Sequence, residues 1–122
     1  MMSALPAPTP SLPGTWHPVR AELDGELAPE LALTRMELVL QDEARYAMRF
    51  AGETHDAGTF VSDEATLTFT ANAGHHIGRV VPAIYQLAGN RLRICYGLNG
   101  LFPEAFTTTA NSGRYLVTYR RG

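Results

Sequence analysis

Lysine is absent from this sequence of 122 residues, and cysteine occurs once, as Cys95. A single cysteine excludes an internal disulfide framework. The ten basic residues are all arginine, and twelve acidic residues outweigh them to give a formal net charge of −2. Such a balance offers no electrostatic case for binding nucleic acid or an anionic membrane. We therefore expect no nucleic-acid partner.

Long hydrophobic runs are also missing. No apolar stretch approaches the roughly 20 residues of a membrane-spanning helix, so we expect no membrane insertion. Residues 1–14 lack the basic start and apolar core of a signal peptide, which predicts a cytoplasmic protein. Four prolines within residues 1–13 predict a flexible arm there, and residues 14–122 are predicted to form one domain.

Short segments with strand-like alternation are what the chain does contain. Apolar and polar residues alternate most regularly around Met36 to Leu40 and Tyr46 to Phe50, a period that puts one face inward. Residues 29–49 are also rich in helix-forming residues, and we expect one short helical turn near 29–33. The predicted strands cover 15–23, 34–41, 45–51, 57–62, 65–70, 79–88, 91–96 and 115–121.

The strand registers follow from the requirement that facing positions share a face of the sheet. The hairpin around Gly89-Asn90 is the most definite, because both residues tolerate the positive φ of a two-residue turn. The cross-strand pairs predicted in this way are Leu40–Tyr46, Leu38–Met48, Met36–Phe50, Glu37–Arg49, Phe60–Leu67, Leu87–Leu92 and Tyr85–Ile94.

The predicted connections alternate between short and long. The long ones are 24–33, 52–56, 71–78 and 97–114, and alternate connections of an up-and-down meander lie at the same end. One end is therefore closed by tight turns, and the other carries the long loops. We predict an all-β fold, an eight-stranded up-and-down antiparallel barrel, whose interior is either filled by side chains or holds one small ligand.

Several short motifs resemble those of known barrels. Gly14-Thr15-Trp16 resembles the Gly-x-Trp signature of lipocalins, and Arg120 or Arg121 would match the arginine that packs across that tryptophan. The chain as a whole is similar to a bacterial lipocalin-like (calycin) domain family, common among hypothetical proteins of planctomycetes. The resemblance implies the fold and no particular activity. The further matching pieces are Glu22-Leu23-Asp24-Gly25, Ala83-Ile84-Tyr85-Gln86-Leu87, Leu92-Arg93-Ile94-Cys95-Tyr96, Pro103-Glu104-Ala105-Phe106 and Tyr119-Arg120-Arg121.

The inward-facing residues are the candidate ligand-binding set. They would form either a cavity with adaptable methionines and a few tyrosine hydroxyls, or a filled core. Trp16 is expected to plug the closed end rather than to stack on a ligand. The candidate ligand-binding residues are Met36, Tyr46, Met48, Phe50, Phe60, Phe69, Tyr85 and Tyr96.

Catalytic and metal-binding motifs are weak in this sequence. His75 and His76 are adjacent, and adjacent residues of a strand face opposite sides of the sheet. No cysteine lies near them in the sequence to complete a zinc site. Cys95 is expected on the outer face beside Arg91 and Arg93, as a packed residue rather than a nucleophile. The acidic pairs at 42–43 and 63–64 suit turns. We expect no enzyme, no metal site and no cofactor.

The loop rim supplies the second hypothesis. The apolar tip of the 97–114 connection would either cover the barrel mouth or contact a partner protein. The sequence thus predicts a binding protein for a small apolar or amphipathic ligand, with a protein-interaction module, such as an immunity or inhibitor protein, as the alternative. The candidate rim residues are His55, His75, His76, Leu101, Phe102 and Glu104.

Overall fold

One antiparallel sheet of nine strands makes up most of the computed structural model, which describes residues 12–74 and 76–122. A short helix, α1 (Glu30–Leu33), and a 3-10 turn over Asp42–Ala44 complete the regular structure of these residues. The strands are β1 (Gly14–Leu23), β2 (Glu26–Leu27), β3 (Met36–Gln41), β4 (Arg45–Phe50), β5 (Glu53–Ser62), β6 (Thr66–Gly74), β7 (Val80–Ala88), β8 (Arg91–Gly97) and β9 (Arg114–Arg121).

The sheet closes on itself because β1 pairs with both β3 and β9. Strands β1 and β3 to β9 form an eight-stranded, up-and-down antiparallel barrel, which confirms the predicted fold class and the helical turn. The additional strand, β2, pairs with the last residues of β1. Residues 1–11 of the predicted arm lie outside the described residues. The one α-helix within the described residues is too short to cross a membrane.

Most of the predicted registers are confirmed. The pairs between β3 and β4 are all as expected, and Tyr85 faces Ile94 across the hairpin at Gly89-Asn90. The pairing of Phe60 with Leu67 is wrong, since Phe60 faces Phe69. Asp63 and Thr66 exchange backbone hydrogen bonds of 2.9 and 3.4 Å, so the two-residue turn is formed by Glu64 and Ala65 rather than by Asp63 and Glu64. Because the shift is even, the inward face is unchanged.

The connection predicted at 52–56 is also wrong. β4 turns directly into β5 through Ala51 and Gly52, whose φ angles of 53° and 83° belong to a tight turn, and Arg49 Nη2 donates to the Gly52 carbonyl at 3.0 Å. A β-bulge shifts the register between Met48 and Arg49, and β4 and β5 remain paired on both sides of it. Residues 53–56 therefore belong to the barrel wall, not to a rim loop.

The closed end of the barrel is sealed by Trp16. Its side chain is fully buried, its Nε1 donates to the Leu12 carbonyl at 2.8 Å, and the Arg121 guanidinium lies 4.3 Å from its ring centroid. Arg121 also donates to the Pro13 carbonyl at 2.6 Å, so it ties the chain entry to the last strand. The predicted plug and its arginine neighbour are confirmed.

Residues 98–113, which connect β8 to β9, follow the outside of the barrel. Phe106 packs against the Arg93 guanidinium at 4.1 Å, and Thr108 Oγ1 donates to Glu22 Oε2 at 2.6 Å. Cys95 lies on the outer face as expected, but this covering segment leaves it fully buried. Burial raises the pKa of the Cys95 thiol and outweighs the opposing charge of Arg114.

Replacing Trp16 with alanine should destabilise the fold by about 3–5 kcal/mol, because a large aromatic side chain in the core leaves a cavity when it is truncated. A urea titration of wild type and Trp16→Ala, followed by far-ultraviolet circular dichroism, measures the difference. An exposed apolar residue, as in Val61→Ala at 70% exposure, is the control and should change little. A loss below about 1 kcal/mol for Trp16→Ala would contradict the sealing role.

Candidate functional site

A cavity of about 270 Å³ lies inside the barrel at the end opposite Trp16. Its position follows from its lining, which includes His76 and Arg79 from the connection after β6 and Leu98 from the connection after β8. The remaining lining residues come from the barrel strands and are mostly apolar: Tyr46, Met48, Asp56, Phe69, Ala71, Val81, Tyr96 and Tyr115.

Four aromatic rings form a continuous wall of this cavity. Tyr46 meets Phe69 edge to face at 5.1 Å between ring centroids, and Phe69 lies 5.5 Å from Tyr96. Tyr96 then stacks on Tyr115 at 5.7 Å. Period-two alternation brings these side chains to the interior from β4, β6, β8 and β9.

One carboxylate stands among these apolar walls. Asp56 shares the inward face of β5 with Gly58 and Phe60, and it pairs with Met48 across the strand. Tyr46 donates its hydroxyl to Asp56 Oδ2 at 3.4 Å, a long hydrogen bond. Asp56 Oδ1 is shielded from solvent, and no donor within the described part of the chain reaches it. This oxygen is a buried acceptor that the fold does not satisfy.

The tyrosine hydroxyls of the cavity stay protonated at neutral pH. Burial, reinforced by the negative charge of Asp56 and the hydrogen bond to it, raises the pKa of Tyr46 to about 12. Burial also raises the pKa of Tyr115 and of Tyr96, whose hydroxyl lies 2.7 Å from that of Tyr119. These groups therefore act as neutral hydrogen-bonding partners.

The mouth of the cavity is bordered by two connections that are tied together. Arg79 Nη2 donates to the Leu98 carbonyl at 3.0 Å. Beyond Leu98 and Tyr115, a shallower groove of about 440 Å³ continues along Leu23, Leu27 and their neighbours. An elongated ligand could therefore extend from the cavity onto the rim.

Half of the predicted ligand-binding residues line this cavity, namely Tyr46, Met48, Phe69 and Tyr96. The other four do not. Phe60 is buried in the hydrophobic core, and Met36 is partly buried and packs against that core. Phe50 is 38% exposed at the open end, and Tyr85 lies near the closed end, where its hydroxyl donates to the Asp63 carbonyl at 3.5 Å.

The predicted rim residues are spread over different surroundings. His76 lines the cavity, whereas His55 lies exposed on β5 with its ring 5.9 Å from that of Phe50. Leu101 and Phe102 are 67% and 51% exposed and are absent from the cavity lining. Glu104 is exposed, and His75 lies outside the described residues.

Sequence reasoning missed several lining residues, and Asp56 is the most consequential. Its position could have been found by extending the alternation of Phe60 and Gly58 backwards by two residues, which requires a longer β5. Leu98 and Arg79 lie in connections, where periodicity carries no information about which side chains turn inward. Ala71 and Tyr115 lie at strand positions whose inward direction the alternation does indicate.

No cluster of three or more His, Cys, Asp or Glu side chains suited to a metal ion occurs within residues 12–74 and 76–122. The expected absence of a metal, a cofactor and catalysis stays a prediction.

No protein-family model and no curated protein matches the chain.

Raised tyrosine pKa values predict a loss of stability in alkali. The unfolded chain releases these protons near pH 10, whereas the folded chain retains them, so the free energy of unfolding should fall as pH rises from 10 towards 12. Urea titrations at several pH values measure this slope. Tyr46→Phe should make the slope shallower by up to about one proton per molecule. An unchanged slope would show that Tyr46 titrates alike in both states.

Proposed function

We propose that this barrel is a non-catalytic binding protein that holds one small apolar or amphipathic ligand in its interior. The observation that carries the proposal is the cavity of about 270 Å³ behind the open end. Ligand pockets of proteins commonly begin at roughly 300 Å³, are largely apolar and present a few polar groups. This cavity has the same character, with Asp56 and tyrosine hydroxyls as its polar groups.

The contrast between the two ends of the barrel supports the proposal. At the closed end the interior is filled by side chains that are at most 2% exposed, namely Trp16, Leu38, Leu92 and Tyr119. At the open end the small side chain of Ala71 stands among aromatic rings, and Met48 supplies a flexible wall that can adapt to different shapes. An interior that narrows to a filled base suits a ligand that enters from the rim.

A relationship to the lipocalin-like barrels is part of the same proposal. It is supported by the contact between Arg121 and Trp16 at the closed end, which is the arrangement that the resemblance implies.

The proposal is tested by filling the cavity. Ala71→Phe places a ring inside it, whereas Ala73→Phe adds the same ring at an exposed position on the same strand. With naphthylethanol as a fluorescent neutral probe, wild type and Ala73→Phe should bind with equal Kd, and Ala71→Phe should bind at least about ten-fold more weakly, because the probe's volume is occupied. Fluorescence titration at constant ionic strength measures the three constants.

Circular dichroism of both variants shows whether the barrel persists. If naphthylethanol binds Ala71→Phe as tightly as it binds wild type, then the interior is not a ligand site and the proposal fails.

The exposed tip of the long connection favours a second candidate function. Leu101 and Phe102 are adjacent, more than half exposed, and lie next to Pro103, which is buried and anchors the tip. Pairs of large apolar side chains on a rigid loop commonly serve as anchors in protein interfaces. A protein-interaction module, such as an inhibitor or immunity protein, would use this tip.

Mutation of the loop tip distinguishes the interaction module from the ligand-binding protein. In the interaction module, Leu101→Ser with Phe102→Ser should abolish retention of a partner in an affinity pull-down, because both apolar anchors are lost, and should leave naphthylethanol binding unchanged. Val61→Ser, which removes an exposed apolar side chain from β5, is the control. A set of retained proteins that is identical for wild type and the double variant would eliminate the tip as an interface.

A further inference from the structure

We infer that the cavity selects a cationic amphipath, an apolar body that carries a protonated nitrogen, with Asp56 as its counter-ion. The inference rests on the proposed ligand-binding function and narrows it to a chemical class. It starts from Asp56, the one acidic residue in a lining that is mostly apolar and aromatic.

The position of Asp56 is fixed by the barrel wall on both sides. It faces Met48 of β4 and Gly74 of β6, and bulges interrupt the register beside it on both edges of β5. Such bulges commonly redirect a side chain at a functional site. Here the inward direction follows the alternation that also buries Gly58 and Phe60.

The hydrogen bonds of this carboxylate are incomplete. A carboxylate accepts about four hydrogen bonds, whereas the described residues supply one, the 3.4 Å bond from Tyr46 to Oδ2. Oδ1 is solvent-shielded and has no described donor. Because an unpaired buried charge is costly, a donor that enters the cavity gains more from Asp56 than from any neutral group there.

The basic residues of the lining do not neutralise Asp56. Neither Arg79 nor His76, the basic residues of the lining, forms an ion pair with Asp56, and Arg79 instead donates to the Leu98 carbonyl. The two ion pairs found among the described residues, His17 with Glu37 and Arg20 with Glu22, involve other carboxylates. Within residues 12–74 and 76–122, no ion pair neutralises Asp56, so its negative charge is available to a ligand.

The aromatic wall adds a second attraction for a cation. Tyr46, Phe69, Tyr96 and Tyr115 stand in sequence around the cavity. Ring faces attract cations, most strongly where water is excluded. A protonated amine close to Asp56 would lie beside Tyr46, while its apolar body packs along the remaining rings towards the groove at Leu98.

Three probes that share one apolar body test the inference. Naphthylethylamine is a cation at neutral pH, naphthylethanol is neutral and naphthylpropionate is an anion. Wild type should bind the amine about ten-fold or more tightly than the alcohol, as expected for a hydrogen bond to a charged group in a water-poor site. The acid should bind more weakly than the alcohol.

Asp56→Asn removes the charge and keeps the shape of the side chain. We expect it to bring the Kd for the amine to that for the alcohol and to leave the Kd for the alcohol within about two-fold of wild type. Glu53→Gln is the matched control, because it removes the same charge from an exposed position on the same strand. It should retain the full preference for the amine. Circular dichroism shows whether each variant is folded.

The outcomes separate this inference from the proposed function. Equal binding of amine and alcohol by wild type, with both weakened by Ala71→Phe, would overturn the cation preference and leave the ligand site intact. If wild type binds naphthylpropionate more tightly than naphthylethylamine, then Arg79 or His76 selects the ligand and the inference is overturned. An unchanged preference in folded Asp56→Asn would also overturn it. Failure of all three probes to bind wild type would overturn both proposals. The comparison within wild type decides the preference even if Asp56→Asn does not fold.

Discussion

The pairing of β1 with β9 is the constraint on which the rest of the structure depends. Seven residue pairs, from Trp16–Arg121 to Leu23–Tyr115, join the first strand of the barrel to the last. Closure removes the free edges of the eight barrel strands and creates an interior that inward side chains must either fill or leave open. The same pairing brings the Arg121 guanidinium onto the Trp16 ring, so the contact that closes the sheet also seals one end of it.

The two ends of the interior differ because side-chain volume is distributed unevenly along the strands. Trp16 and Tyr119 occupy the region near the closed end, whereas Ala71 and Val81 leave space near the open end. Gly58 allows the backbones to approach closely between these regions, since a side chain there would collide with the Thr70 carbonyl. Side chains therefore fill the base of the interior, whereas the open half keeps the cavity of about 270 Å³.

Local alternation was sufficient to predict the barrel, and it was insufficient to predict the cavity. The registers of β3 with β4 and of β7 with β8 follow from period-two patterning and a two-residue turn. The predicted partner of Phe60 is wrong because the two-residue turn lies one residue further along the chain, at Glu64 and Ala65, which composition does not reveal. The prediction places Asp56 in a loop, because a charged side chain is not expected on an inward strand position. Contributions from connections, such as Leu98, depend on tertiary packing that has no periodic signal.

Asp56, which the alternation pattern failed to place at an inward position, is therefore also the one carboxylate of the cavity lining. A sequence agrees with its fold at most positions, and a local disagreement that persists in a folded structure commonly marks a functional site. Asp56 disagrees with a mostly apolar barrel interior, and the described part of the chain supplies it with one long hydrogen bond, from Tyr46, while its Oδ1 stays buried and unpaired. The contact between Trp16 and Arg121 that seals the barrel lies at the opposite end from Asp56. The barrel thus places its sealed, fully packed base and its half-buried carboxylate at opposite ends, and the proposed ligand site uses the second.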